Sequence, residues 1–160
     1  MDKIGVLFVC LGNICRSPSA QGIFEQRVNA AGLADRFRVD SCGTASFNLG
    51  KHPDPRAIAA ASARGYDISR QIARQITDED YRLHQHIMVM DHVNMTNVKA
   101  WAPKDFTGHI NLFLRYAHAG GLTEIPDPYK ESADAFGPMM DLLEKSADGL
   151  LTDLRKTYQL

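Results

Sequence analysis

Ile4, Val6, Leu7, Phe8 and Val9 make an almost unbroken run of β-favouring apolar residues, and the run ends abruptly in a short polar connection. A strand with one wet face alternates apolar and polar residues, whereas a strand that is apolar at nearly every position has no face to give to water. The run therefore predicts a parallel strand in the interior of a sheet, covered by helices on both faces. Past the polar connection, Ala20, Ile23, Phe24, Val28 and Ala31 recur at helical spacing, with Pro18 suited to a first turn and Gly32 to a stop. Strand, tight loop and helix form the opening unit.

The rest of the chain continues in the same alternation. A second strand is expected over Phe37 to Ser41, and Asp54-Pro55 reads as the cap and first residue of an Ala-rich helix closed by Gly65. Thr77 to Asp80 starts a short helix, Ile87 to Met90 a third strand, Asp91 to Ala100 a helix, and His109 to Leu114 a fourth strand. From Ser132, apolar residues at helical spacing trace one long helix almost to Tyr158. Strands alternating with helices imply an open α/β sheet, in which ligands sit beyond the carboxyl ends of the strands. At 160 residues, with no repeat or linker, residues 1–160 are read as one domain.

Charge and cysteine usage narrow the functional classes. Eighteen Lys and Arg against nineteen Asp and Glu leave a net charge of -1, without the basic footprint of a general nucleic-acid or anionic-membrane binder. The longest apolar stretch, Ile4 to Leu11, falls far short of the roughly 18 residues of a membrane span. Three cysteines, an odd number without a convincing export signal, point to a reducing compartment, so a cytoplasmic location is expected.

Chemistry concentrates where the first strand ends. The sequence there reads Cys10-Leu11-Gly12-Asn13-Ile14-Cys15-Arg16-Ser17-Pro18. A connection this short between a strand and a helix can curl so that successive backbone N–H groups converge, and the helix terminus adds partial positive charge. Gly12 and Asn13 tolerate the left-handed conformations of such a curl, and Arg16 offers a planar fork for two phosphate oxygens. Residues Leu11 to Ser17 are thus a candidate phosphate cradle. Cys10 lies at its base, where the same amides favour a thiolate nucleophile, and Ser17 can donate a further hydrogen bond to its sulfur. Taken alone, Cys10 reads rather as a buried, inert strand-end cysteine, and it is the surrounding loop that reverses the reading. A nucleotide-binding G-x-x-x-x-G-K-S/T loop is absent, since Gly43 to Lys51 has the wrong spacing.

The segment VCLGNICRSPSA resembles the signature of the low-molecular-weight protein tyrosine phosphatases. The similarity extends through Asp40-Ser-Cys-Gly-Thr44, His52-Pro-Asp-Pro-Arg-Ala57, Ala73-Arg-Gln75 and Met90-Asp91 to Ile125-Pro-Asp127-Pro-Tyr129, and so covers essentially the whole chain. It implies a four-stranded parallel open sheet flanked by helices, with Asp127 in the acid loop. Chemistry independently supports an acid there: a phenolate leaving group has a conjugate acid of pKa about 10, and a carboxylic acid is a suitable donor. Pro126 and Pro128 stiffen the backbone around Asp127, although an isolated Asp-Pro is more often simply a turn.

The expected reaction is attack of Cys10 on phosphorus, with Arg16 and the loop amides holding the oxygens and Asp127 first donating and then accepting a proton. No metal and no cofactor is required. The resemblance places Phe47, Asn48 and Tyr129 around the substrate ring, with Phe47 exposed on its loop. It also associates Ile14, rather than the threonine of arginine phosphatases, with tyrosine specificity. Cys15 reads either as a partner for a reversible disulfide with Cys10 or as packing beneath the loop. Cys42 carries no expected role. Gln71 stands where several relatives have a histidine that supports the cradle, and Lys130 where many animal members have a second tyrosine. His84 and His86 lack a third ligand at a compelling spacing and are read as solvated or hydrogen-bonded.

Expected partners are tyrosine-phosphorylated proteins, with room for a cognate tyrosine kinase, together with inorganic phosphate and oxyanion inhibitors; nucleic acid and membranes are not expected. The rival readings are a thiol-coupled arsenate reductase, which lacks a resolving cysteine pair after Cys42, and a protein that binds phosphotyrosine without turnover.

Overall fold

A computed structural model describes residues 2–160. Four parallel strands, β1 (Ile4–Cys10), β2 (Phe37–Gly43), β3 (His86–Val89) and β4 (His109–Leu112), form one open sheet in the order β2-β1-β3-β4. Among the described residues, five α-helices accompany them: α1 (Arg16–Ala30), α2 (Pro55–Ser62), α3 (Asp78–Leu83), α4 (His92–Trp101) and α5 (Phe136–Tyr158). The expected α/β sheet is present, with its most apolar strand paired on both edges.

The two-sided burial of β1 explains its composition. Ile4, Val6, Phe8 and Cys10 belong to a large core with α1, α2 and α5, while Leu7 and Val9 join a smaller core with Ile87, Val89, Tyr81 of α3 and Val98 of α4. Residues along a strand alternate faces, so every second residue feeds a different layer. In the larger core Phe8 meets Phe24 and Phe113 edge-on, with centroids 5.7 and 4.9 Å apart. Truncating such a buried ring to alanine typically costs about 3–5 kcal/mol.

Several boundaries differ from the sequence expectation. β2 runs on to Gly43 because its ladder with β1 continues as far as the pairing of Cys10 with Gly43. β4 stops at Leu112, and Phe113–Ala117 winds into a 3-10 turn. The last helix begins at Phe136, after a separate 3-10 turn over Ala133–Ala135, rather than at Ser132. Pro138 sits in the first turn of α5, where its missing N–H costs nothing; further inside a helix its ring would collide with the carbonyl four residues back. Asp54 caps α2 as expected, its carboxylate accepting from the Arg56 amide at 2.8 Å.

Candidate active site

The polar connection after β1 curls back on itself, and its carbonyls are fastened from outside. Thr44 and Ala45 donate their amides to the carbonyls of Cys10 and Leu11 (2.9 Å each), Asn48 Nδ2 to that of Gly12 (3.2 Å) and the Asp54 amide to that of Ile14 (2.8 Å). Ser19 Oγ takes the Cys15 carbonyl at 2.7 Å. By contrast, the amides of Gly12, Ile14 and Cys15 have no protein partner among the described residues. Those of Arg16 and Ser17 open α1, where a helix leaves its N–H groups unpaired. A loop whose carbonyls are mostly taken and whose amides at Gly12, Ile14 and Cys15 are free is an oxyanion receptor.

Close approach of β2 makes the curl possible. A Cβ added to Gly43 would lie 2.7 Å from the Leu11 carbonyl oxygen and 3.2 Å from the Asn13 amide nitrogen, so only glycine lets the loop settle against the strand. Asn13 holds the left-handed conformation expected of it, with φ at 57°.

Behind the loop, Asn13, Ser17 and Ser41 are buried and their hydrogen bonds run in one direction. The Arg74 amide donates to Asn13 Oδ1 (3.1 Å), which fixes the orientation of the side-chain amide. Asn13 Nδ2 therefore donates, to Ser17 Oγ at 2.8 Å and Ser41 Oγ at 3.1 Å. Ser17 Oγ lies 3.0 Å from Cys10 Sγ and 3.3 Å from the Cys42 carbonyl; the Asn13 amide adds a second donor to the sulfur at 3.3 Å. Asn13 takes one of the two acceptor sites of the Ser17 hydroxyl, whose proton is within reach of both Cys10 Sγ and the Cys42 carbonyl. Gln71 occupies the supporting place: its Oε1 accepts from Ser41 Oγ at 3.4 Å and its Nε2 donates to the Pro18 carbonyl at 2.9 Å.

Arg16 is buried and spent on one edge only. Nη1 bonds Asp91 Oδ2 (2.8 Å) and the Ile125 carbonyl (3.0 Å), while Nε and Nη2 have no hydrogen-bond partner among the described residues. Burial opposes its charge, but Cys10, Asp91 and Asp127 outweigh burial and raise its pKa further, so the guanidinium stays cationic. Asp127 Oδ2 stands 3.5 Å from Nη2. Burial, then Asp54 and Cys10, push the Cys15 thiol well above its ordinary range, which keeps it protonated.

Cys10, Leu11, Gly12, Ile14, Cys15, Arg16, Phe47, Asn48, Asp127 and Tyr129 all line one cleft of about 650 Å³. Asn13 and Ser17 stand behind it as struts, and Phe47, 70% exposed, projects at its rim as expected. Asp91, Arg56, Arg74, Ser41, Gly43 and Ile125 lie in segments that carry the resemblance, but none has an individual role assigned from the sequence. Of these, Asp91 had a usable signal: an acidic residue directly after the third strand, at the ligand-binding end of an α/β sheet. His84 and His86 meet separate partners, His84 Nδ1 the Asp80 carbonyl (2.9 Å) and His86 Nε2 the Tyr158 hydroxyl (2.6 Å). No described helix is long and apolar enough to cross a membrane.

Comparison with known proteins adds an independent line. The family model described as low molecular weight phosphotyrosine protein phosphatase matches residues 5–160. The low molecular weight phosphotyrosine protein phosphatase of Schizosaccharomyces pombe is 39% identical over 136 residues, covering 84% of this chain and 86% of that protein. The low molecular weight protein-tyrosine-phosphatase YfkJ of Bacillus subtilis is 32% identical over 157 residues, covering 98% and 99%. Among solved structures, a protein tyrosine phosphatase from Entamoeba histolytica superposes with a TM-score of 0.92 at 29% identity, covering 98% of this chain and 99% of that one.

Proposed function

Because this chain belongs to the low molecular weight phosphotyrosine protein phosphatase family, we propose that it hydrolyses phosphotyrosine in proteins through a phosphocysteine intermediate on Cys10. The observation that carries this reading is the meeting of three groups in one cleft: a sulfur contacted by the Asn13 amide and the Ser17 hydroxyl, a cationic Arg16 with a free N–H edge, and the Asp127 carboxyl beside that edge.

The thiolate of Cys10 attacks phosphorus and forms the S–P bond as the P–O bond to the tyrosine ring breaks. The amides from Leu11 to Ser17 and the Nε and Nη2 groups of Arg16 hold the remaining phosphoryl oxygens as charge shifts among them. Asp127 gives its proton to the departing phenol oxygen, then takes one from the water that attacks the phosphocysteine and releases inorganic phosphate. The first step needs Asp127 protonated and the second needs it ionised, so turnover depends on pH. A rate flat from mildly acidic to alkaline pH contradicts this role.

Phe47 and Tyr129 wall the ring, and Asn48 ties the wall to the cradle through Gly12. The depth favours phosphotyrosine over shorter phosphoserine. The proposed substrates are tyrosine-phosphorylated cytoplasmic proteins, and vanadate and phosphate compete at the cradle. Peroxide converts the Cys10 thiolate to a sulfenic acid, and the Cys15 thiol then displaces water to give a disulfide that a cellular thiol reduces. Arsenate reduction is disfavoured because the remaining cysteine, Cys42, is fully buried and burial drives its thiol up.

Single-turnover assays on a phosphotyrosine peptide test the assignment. Cys10→Ser abolishes turnover and retains phosphate binding. Asp127→Ala slows the peptide by about a hundredfold or more, and an activated aryl phosphate much less. Equal slowing of both substrates by Asp127→Ala removes Asp127 from the role.

A further inference from the structure

Among the described residues, the only hydrogen bonds that reach residues 126–131 from outside that stretch come from Arg56: Nη2 to the Tyr129 carbonyl (2.9 Å) and Nη1 to the Glu131 carbonyl (2.8 Å), while Arg16 Nη2 adds an ion pair with Asp127 at 3.5 Å. The same guanidinium grips Asp54 through Nε (3.1 Å) and Nη2 (2.9 Å), and its carbon lies 4.7 Å over the Phe136 ring. Asp54 in turn donates its amide to the Ile14 carbonyl of the cradle at 2.8 Å. At the far end, the Tyr129 amide bonds Asp127 Oδ1 at 3.1 Å.

These contacts form one continuous strut from the cradle to the acid. We propose that Arg56 is a positioning residue for catalysis, setting the distance between Asp127 and the phosphoryl group; this rests on the acid role assigned to Asp127 above. Capping α2 needs only the Asp54 carboxylate and the Arg56 amide. The guanidinium fork is not part of that cap; its pair with Asp54, whose side chain is 9% exposed against 33% for Arg56, adds to stability but needs no contact with the acid loop. What the fork does is span two carbonyls of the acid loop while clamped at its base, a geometry that lysine, a point charge on a flexible stem, cannot reproduce. Small displacements matter at this range, since misplacing a reacting group by about 1 Å can cost about a hundredfold in rate.

Arg56→Met retains an apolar stem over Phe136 and removes every donor. The expected result is a loss of about tenfold in kcat on a phosphotyrosine peptide and less than about threefold on an activated aryl phosphate, with vanadate inhibition nearly unchanged and the melting temperature lowered by a few degrees. In an Asp127→Ala background the same substitution costs less than about twofold, because the group it positions is gone. Arg56→Lys shows the same dependence on leaving group and substitutes for the methionine variant if that variant fails to fold. Equal losses on both substrates, or a full loss that persists without Asp127, overturn the inference while leaving the acid in place. If Asp127→Ala itself shows no dependence on leaving group, the acid assignment falls first and this inference falls with it.

Discussion

On one side of the cleft, Asn13 alone makes four hydrogen bonds, to Cys10, Ser17, Ser41 and Arg74, and it and both serines are buried. On the other, the Asp127 side chain is 42% exposed and the loop beyond Ile125 is fastened from outside by the hydrogen bonds of one arginine. The two walls meet different demands. A cradle for a phosphoryl group works by having its donors fixed before charge moves, so redundancy and burial serve it. A group that gives up a proton and later recovers one from water must stay wet, and it tolerates a lighter hold. Losses on the cradle wall should therefore strike all aryl phosphates alike, whereas losses on the acid wall should grow as the leaving group worsens.

Gly43→Ala tests the cradle most severely. Its Cβ would press on the Leu11 carbonyl, a backbone atom that cannot swing aside, so turnover should drop by about a hundredfold or more, equally for peptide and activated aryl phosphate, with vanadate inhibition weakened in parallel. A leaving-group-dependent loss would break the division between the walls. Asn13→Ala comes next. It leaves the Arg74 amide and both serines short of a partner, so a loss of about 1–3 kcal/mol of stability is expected, with kcat reduced to a similar extent on both substrates; thermal melts and parallel kinetics measure the two.

A third test concerns the brace behind the cradle. Arg74, whose amide fixes Asn13, is gripped by Asp80 at 2.9 and 2.7 Å and by Asp40 at 2.9 Å. Burial alone would raise the pKa of Asp80, but the Arg74 guanidinium and the Thr77 amide overcome it and hold the carboxyl below its usual range. A carboxyl with a lowered folded pKa stabilises the fold above its unfolded value, about 3.9, and that contribution fades as pH falls through the folded one. Asp80→Asn should therefore lower the melting temperature by a few degrees near neutrality, with the deficit shrinking below about pH 4. A deficit that is constant with pH would show that the charge is not what holds Arg74. The smallest effect belongs to Phe47→Ala, which should raise KM for the peptide by about three- to tenfold and leave kcat unchanged, as expected for a stacking wall.

Local chemistry made the first half of the site legible. The strand, the cradle and the start of α1 are contiguous, so Cys10 and Arg16 announce themselves by spacing, and Asp127 by its prolines and its resemblance. Arg56, Arg74 and Gly43 did not, because each matters only through partners brought to it by the fold: Arg56 through a loop more than 70 residues away, Gly43 through the strand pairing that lays it against Leu11. The end of β4 was misjudged for a related reason. Phe113 and Leu114 are fully buried whether extended or coiled, so apolarity could not distinguish the two. The turn is instead seated by Gly149 of α5, where a Cβ would fall 1.8 Å from the Tyr116 carbonyl oxygen.

β1 sends Phe8 into the larger core and Val9 into the smaller, and Cys10 follows at once. The sulfur proposed above as the nucleophile thus rides on a short lever riveted between two separately packed layers, and softening of either one tilts its aim. Substitutions that loosen either layer should therefore slow every aryl phosphate alike, whatever its leaving group.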